Sequence, residues 1–138
     1  MNIGKLIRLS FLPCSTDCGL LVLRAWFGLS ILMLHGLDKL QNFAGTVEQF
    51  AKMGFPKPLG AAAIIAEGIC SVLVIAGFAT RWSAAFLAAT MGVAFFQVHD
   101  MVLKGPQSGE LAFIYFAGFV AIFVAGPGRW SVDAKLGN

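Results

Sequence analysis

Charge is scarce in this chain. Of 138 residues only 10 are Lys or Arg and 7 are Asp or Glu, so 12% are charged while 58% are hydrophobic. An average soluble domain carries about 25% charged residues. A soluble surface of this size cannot be covered with so few charges, and the mean hydropathy of +0.81 agrees. The shortage excludes an ordinary soluble domain and points to an integral membrane protein, with the lipid bilayer as its first partner. The net charge of +3 is scattered. No basic run interleaves with aromatic residues, which leaves nucleic-acid binding without support. Strand-like alternation is also missing, which argues against a membrane barrel. The chain has three cysteines, Cys14, Cys18 and Cys70, and none sits in the C-x-x-C spacing of a thioredoxin-like redox site. Cys14 and Cys18 share a helical face, as a strained disulfide or as two thiols at the membrane surface. A cleavable leader is not expected, because the apolar core after Lys5 and Arg8 is too short.

What the chain does have is apolar length. Four spans are expected over residues 20–37, 59–80, 82–99 and 110–126, within a single domain covering 1–138. Each carries Gly, Ala or Ser at helical spacing, which lets membrane helices approach closely. The expected fold is all-α, an antiparallel bundle of four transmembrane helices. Spans two and three are separated only by a tight turn at Arg81. In the longest loop, Thr46 and Gln49 have capping-box spacing. Val47–Met53 can form two helical turns lying on the membrane surface, with Gly54 as the stop. An even number of spans puts both termini on one side. That side carries Lys5, Arg8, Arg81, Arg129 and Lys135, against Lys39, Lys52, Lys57 and Lys104 on the other. The positive-inside rule then places the termini in the cytoplasm.

The polar residues inside the spans are the candidates for function. Glu67 is the most informative. A carboxylate deep in an apolar helix costs roughly 2.5–3.5 kcal/mol on insertion scales for the aspartate analogue. Such a group needs a partner or a job. Consecutive spans run antiparallel, so several polar groups collect at one membrane face. They are His35, Asp38 and Lys39 ending helix one, Gln97, His99 and Asp100 ending helix three, and Glu110 opening helix four. Glu67 lies about 12 Å inside that face at ~1.5 Å per residue. His35 is its nearest partner in depth. Arg24 and His35 are eleven residues apart, close to three whole turns, so helix one turns Arg24, Gly28, His35 and Lys39 to one face. Gly60, Glu67, Ser71 and Val74 share a stripe in helix two, and Ala88, Gly92 and His99 in helix three.

Each candidate also has a plain structural reading. Arg24 can snorkel to the interface. His35 can be a packing hydrogen bonder. Lys39, Asp38 and Glu110 can be solvated, and Glu67 can be a protonated carboxyl bonded to a neighbouring helix. Three chemical readings stay open beside these. A quinone needs a lipid-accessible cleft with proton donors at its carbonyls, which His35, Glu67 and Lys39 can supply. A metal can draw on His35, His99, Asp100 and Glu67, although no tight spacing supports it. A haem would need His35 and His99 facing each other at one depth.

Several pieces resemble the DoxX family of small bacterial membrane proteins. They are His35-Gly36-Leu37-Asp38-Lys39-Leu40, Gly54-Phe55-Pro56-Lys57-Pro58, Ala66-Glu67-Gly68 and Gly77-Phe78-Ala79-Thr80-Arg81. His99, Glu110-Leu111-Ala112 and Gly126-Pro127-Gly128-Arg129-Trp130-Ser131-Val132-Asp133 follow in order. The resemblance covers nearly the whole chain. It implies a four-helix protein of the bacterial plasma membrane. Members have been linked to quinone-coupled oxidation of sulfur compounds and to membrane oxidoreductase complexes that resist oxidative and thiol stress. It marks His35, Lys39, Glu67, Arg81 and Arg129 as motif positions. The expected function is therefore a component of a membrane oxidoreductase or quinone-linked redox system. Glu67 and His35 would form the core of its site, and Arg24, Lys39, His99, Asp100 and Glu110 would surround a substrate or quinone. A redox partner protein and a homo-oligomer are the further partners this implies. A non-catalytic membrane partner or assembly factor, its polar cluster purely structural, is the alternative. A small-molecule or proton carrier fits less well, because no inverted repeat or broken helix is visible.

Overall fold

The computed structural model describes residues 15–137, together with Ile3 and Ile7 before them. The question of a Cys14–Cys18 pair falls outside the described residues. Among those residues the ordered elements are helices and none is a strand. We number them α1 (Thr16–Gln41), α2 (Phe43–Lys52), α3 (Lys57–Ala76), α4 (Thr80–Val93, continued by a π-helical turn Ala94–Val98), α5 (Glu110–Ala125) and α6 (Val132–Leu136). Helices α1, with 26 residues, and α3, with 20, are long and apolar enough to cross a membrane. Helix α5 is equally apolar but has 16 residues. At 1.5 Å per residue it spans about 24 Å, short of a ~30 Å hydrocarbon core.

Helix α1 packs against α3 and α5, and α4 packs against α3 and along α5. Small residues set the closest approaches. The side chain missing at Gly118 leaves room for the Phe27 ring, and the one missing at Gly36 lets α1 rest on the main chain of Glu67. Phe27 then stands edge-on to Tyr115 at 5.8 Å and to Phe119 at 6.0 Å between centroids. Ile31, Val74, Leu87, Phe119 and Ile122 fill the centre. The outside is apolar as well: Trp26 is 73% exposed, and Met33, Phe86, Trp82 and Val124 are exposed too. A surface of this kind suits hydrocarbon, not water. The expected inward stripe of α3 holds, with Gly60, Glu67, Ser71 and Val74 buried, and on α1 Arg24 and Gly28 are buried while His35 and Lys39 are partly so.

Helix α1 runs to Gln41, past the apolar span and through the Asp38 and Lys39 expected at its end. Two local expectations are corrected. Helix α3 ends at Ala76, not Thr80, so the reversal is Gly77–Phe78–Ala79 and not Arg81. Gly77 takes a left-handed φ of 72°, and the Phe78 N–H donates to the Leu73 carbonyl at 2.9 Å, which closes the helix end. In the long loop, α2 begins at Phe43. Thr46 is buried within it, so it cannot form a capping box with Gln49.

The reversal is held from a distance. Asp133 on α6 accepts the Ala79 N–H at 2.7 Å, the Thr80 N–H at 2.8 Å and the Thr80 hydroxyl at 2.7 Å. It thereby caps α4 from outside the local chain. Ala79 sits at a left-handed φ of 46°, a strained position for a residue with a side chain. Arg24, with 0% of its surface exposed, reaches across from α1. Its Nη1 donates to the carbonyls of Val74 at 3.1 Å and Ile75 at 3.2 Å, and its Nη2 to Trp130 at 2.6 Å. One guanidinium thus supplies a donor to the Ile75 carbonyl, adds a second to that of Val74 beside the Gly77 N–H, and ties down the segment after α5.

Candidate functional site at the opposite end

Three of the long helices widen into a π-helical turn, at Leu32–Gly36 in α1, Ala66–Cys70 in α3 and Ala94–Val98 in α4. Such turns are rare and occur frequently at functional sites. His35 lies in the first, Glu67 in the second, and His99 directly after the third. The first two turns pack on each other through Gly36 and Glu67. The Ser71 hydroxyl is 2.7 Å from the carbonyls of both Glu67 and Gly68, supporting the backbone that the wide turn loosens.

Glu67 is 2% exposed. Its partner is Lys39: Nζ donates to Oε1 at 2.7 Å and to Oε2 at 2.6 Å. The bonding partner is therefore not His35, and Lys39 is not a solvated interface residue. The pair is asymmetric, with the Lys39 side chain 25% exposed and that of Glu67 3%. His35 stands edge-on to the Tyr115 ring, 6.5 Å between centroids.

These groups border a cavity of about 720 Å³ lined by residues of α1 to α5. Its size is typical of a small-molecule site, roughly 300–1,000 Å³. His35, Asp38, Lys39 and Glu67 line it from α1 and α3, and Asn42, Thr46 and Gln49 from the start of the loop and α2. His99 and Ser108 add polar atoms from the α4–α5 side, and Phe86, Ala89 and Met91 supply apolar wall. The His99 Nδ1 lies 3.0 Å from the Gln107 carbonyl. A carbonyl only accepts, so Nδ1 carries a proton and donates there.

Four of the seven expected site residues thus border one cavity: His35, Lys39, Glu67 and His99. Arg24, Asp100 and Glu110 do not. Arg24 faces inward as expected but sits at the reversal end. Eleven residues along a helix separate it from His35 by about 16 Å. Asp100 is exposed at a left-handed φ of 46°. Glu110 is exposed in the first turn of α5, where its charge suits the helix dipole. Arg81 and Arg129 belong to the reversal end too. Arg81 lies beside Gly126, and the Arg129 N–H donates to Asp17 at 2.8 Å. Among the described residues no three of His, Cys, Asp or Glu gather closely enough to hold a metal ion.

Sequence reasoning missed Tyr115, Thr46, Asn42 and Gln49. Tyr115 could have been found, because it is the chain's single tyrosine in an otherwise apolar helix. The polar residues of α2 gave no such signal, since a loop helix facing water has the same composition.

The DoxX family model matches residues 19–100, the stretch that holds His35, Lys39, Glu67 and His99. Inner membrane protein YphA of Escherichia coli (strain K12) is 30% identical, over 76% of this chain and 81% of its own length. A Bacillus subtilis (strain 168) protein named Putative oxidoreductase CatD is 34% identical, over 80% of each chain. Inner membrane protein YqjF of Escherichia coli is 29% identical, over 87% of this chain and 93% of its own. No solved structure matches. With that match over more than half its length, and two helices able to cross a bilayer, the chain is a membrane protein that belongs to the DoxX family.

Proposed function

We propose that the protein is a four-span subunit of a quinone-linked oxidoreductase in the bacterial inner membrane, and that the cavity beside Lys39 and Glu67 is its quinone site. One observation carries the reading. An apolar bundle holds a ligand-sized cavity whose ionisable groups gather on facing helices. Buried ionisable groups in membrane proteins mark sites by default. The inner-membrane names of two relatives support the location, and the name of the Bacillus subtilis relative supports the redox half. Helices α4 and α5 complete the four spans, with flanking residues making up the length, and the termini face the cytoplasm.

Reduction of a quinone to a quinol takes two electrons and two protons. A partner redox protein supplies the electrons. The Lys39–Glu67 pair and His35 pass protons to the ring oxygens, and the Tyr115 hydroxyl and His99 orient the ring. The test is equilibrium binding of a benzoquinone to the purified protein in lipid nanodiscs. Wild-type protein is expected to bind and Glu67→Gln to bind at least about tenfold more weakly while still folded. Folded wild-type protein that binds no quinone defeats the reading.

A second reading has one specific observation in its favour. Lys39 occupies both carboxylate oxygens of Glu67, as a purely structural bolt between α1 and α3 would. In that reading the protein assembles a membrane partner, and Glu67→Gln leaves the partner's abundance and activity near normal.

A further inference from the structure

The cavity is not closed on all sides. Leu59 and Ala62 on α3, and Phe86 and Ala89 on α4, line it and are also exposed on the outside of the molecule, Phe86 by 59%. The reason lies in how the two helices meet. Helix α4 packs against the Ala66–Ala76 half of α3, next to the reversal. Towards Lys57 the two helices part, and α2 lies against α3 in place of α4. The flank around the gap is apolar: Ile65, Ile69 and Val72 on α3 and Trp82 on α4 are exposed. In a membrane protein this flank faces hydrocarbon.

We infer that the gap between α3 and α4 is a lateral portal, and that the ligand is a quinone with a long apolar tail that leaves through it into the lipid. The inference rests on the quinone reading above and adds the subsite that selects the tail. The shape supports it. The cavity runs along α4 from Phe86 to His99, about 20 Å at 1.5 Å per residue, longer than a quinone ring alone requires. Four of its ionisable groups, His35, Asp38, Lys39 and Glu67, come from α1 and α3, a fifth, His99, lies past the end of α4, and the opening at Ala62 and Ala89 is apolar. A ring held at the polar side has its tail directed outward. A ligand arriving from water would meet Asn42, Gln49 and Ser108 instead, and would gain nothing from a lipid-facing gap.

Ala62→Phe and Ala89→Phe narrow the gap with residues that lipid-exposed positions tolerate. Ile69→Phe, on the same flank but outside the cavity lining, is the control. Each variant in nanodiscs is titrated with a tail-less methylated benzoquinone and with the same ring carrying a decyl tail. Wild-type protein is expected to bind the tailed form at least about tenfold more tightly. Ala62→Phe and Ala89→Phe should lower affinity for the tailed form at least about fivefold more than for the tail-less ring, and Ile69→Phe should change neither. Unchanged tail preference in both portal variants overturns the portal and leaves the quinone site standing. Equal loss of both ligands also overturns it, because no tail-specific path then exists. A change of oligomeric mass in place of tail preference, read by light scattering, assigns the flank to a second copy of the chain and overturns it too. If wild-type protein binds neither ring, the quinone reading itself fails and the portal falls with it.

Discussion

The two ends of the bundle each bury one cation from α1 against α3, and they use it in opposite ways. At the reversal end, Arg24 gives its hydrogens to main-chain carbonyls of Val74, Ile75 and Trp130 and none of its surface is exposed. At the cavity end, Lys39 gives its hydrogens to one side chain, Glu67, and keeps a quarter of its own side chain exposed. Backbone carbonyls do not titrate or change rotamer, so Arg24 is fixed. A side-chain carboxylate and a partly exposed lysine can both change rotamer, so the Lys39–Glu67 contact can open. One end locks the chain and the other retains the freedom a site needs.

The sharpest way to attack this contrast is to remove the fixed cation. Arg24→Met takes a charged donor from the carbonyls of Val74 and Ile75 at the end of α3 and frees the segment after α5 by releasing Trp130. Leaving a buried acceptor unpaired costs about 1–3 kcal/mol, and three contacts are lost together. Arg24→Met is therefore expected to fail to accumulate as folded protein, measured by the monodisperse fraction in detergent. Arg24→Lys should fall between the two, since an ammonium lacks the planar fork that reaches three carbonyls. An Arg24→Met protein with a near-wild-type melting temperature would end the distinction between the two ends.

The next largest effect belongs to Gly36. A side chain there collides with the Glu67 main chain, which cannot swing aside as a flexible side chain would. Gly36→Ala is expected to cost about 1–3 kcal/mol, the usual range for overpacking. It should also weaken ligand binding, because it pushes apart the two π-helical turns that aim His35 and Glu67. Thermal melts and quinone titration of the same sample check both parts.

These outcomes bear on what the sequence could show. Hydropathy made α1 and α3 legible, and 3.6-residue periodicity made their inner faces legible, down to Gly28, Ser71 and Val74. Glu67 stood out because a lone carboxylate in an apolar run is expensive. Periodicity gives an angle but not a height, which is why Arg24 seemed to belong with His35. The partner of Glu67 was missed for a related reason. Depth favoured His35, while the wide turn at Leu32–Gly36 and the close approach at Gly36 bring Lys39 onto the carboxylate. No local pattern announces a π-helical turn. The cap on α4 was hidden because it comes from Asp133, 53 residues beyond Thr80.

A double-mutant cycle at the cavity end carries the contrast further, with a smaller expected effect. Lys39→Met strands a buried carboxyl, which must then take a proton or remain charged without a partner. Glu67→Gln strands a lysine that is already partly exposed and can turn towards the polar cavity wall. Lys39→Met should therefore cost more, about 1–2 kcal/mol against under about 1 for Glu67→Gln. The double variant should cost less than the two single changes added together, as contacting residues do. Additive costs would mean that the pair does not interact in the folded protein.

The smallest effect lies at the reversal, in the charge on Asp133. Burial raises the affinity of this carboxyl for a proton, but the hydrogen bonds from Thr80 and Ala79 and the charge of Arg24 outweigh it and hold the group below the usual carboxylate range. The folded protein therefore binds this proton less readily than the unfolded chain, whose carboxyl titrates near ~3.9. The resulting stability is fully present above about pH 4 and is lost as the pH falls through the lower folded value. Asp133→Asn keeps one acceptor oxygen of the cap and removes the charge at the α4 N-terminus together with the second acceptor, so either the Ala79 N–H or the Thr80 donors lose their partner. At neutral pH it should cost about 1 kcal/mol. Below pH 4 the wild-type protein should lose stability towards the level of the variant, which does not titrate at this position. Melting temperatures taken in detergent from neutral pH down to about pH 3 would show two curves that converge on acidification. Parallel curves would mean that the α4 cap owes nothing to charge.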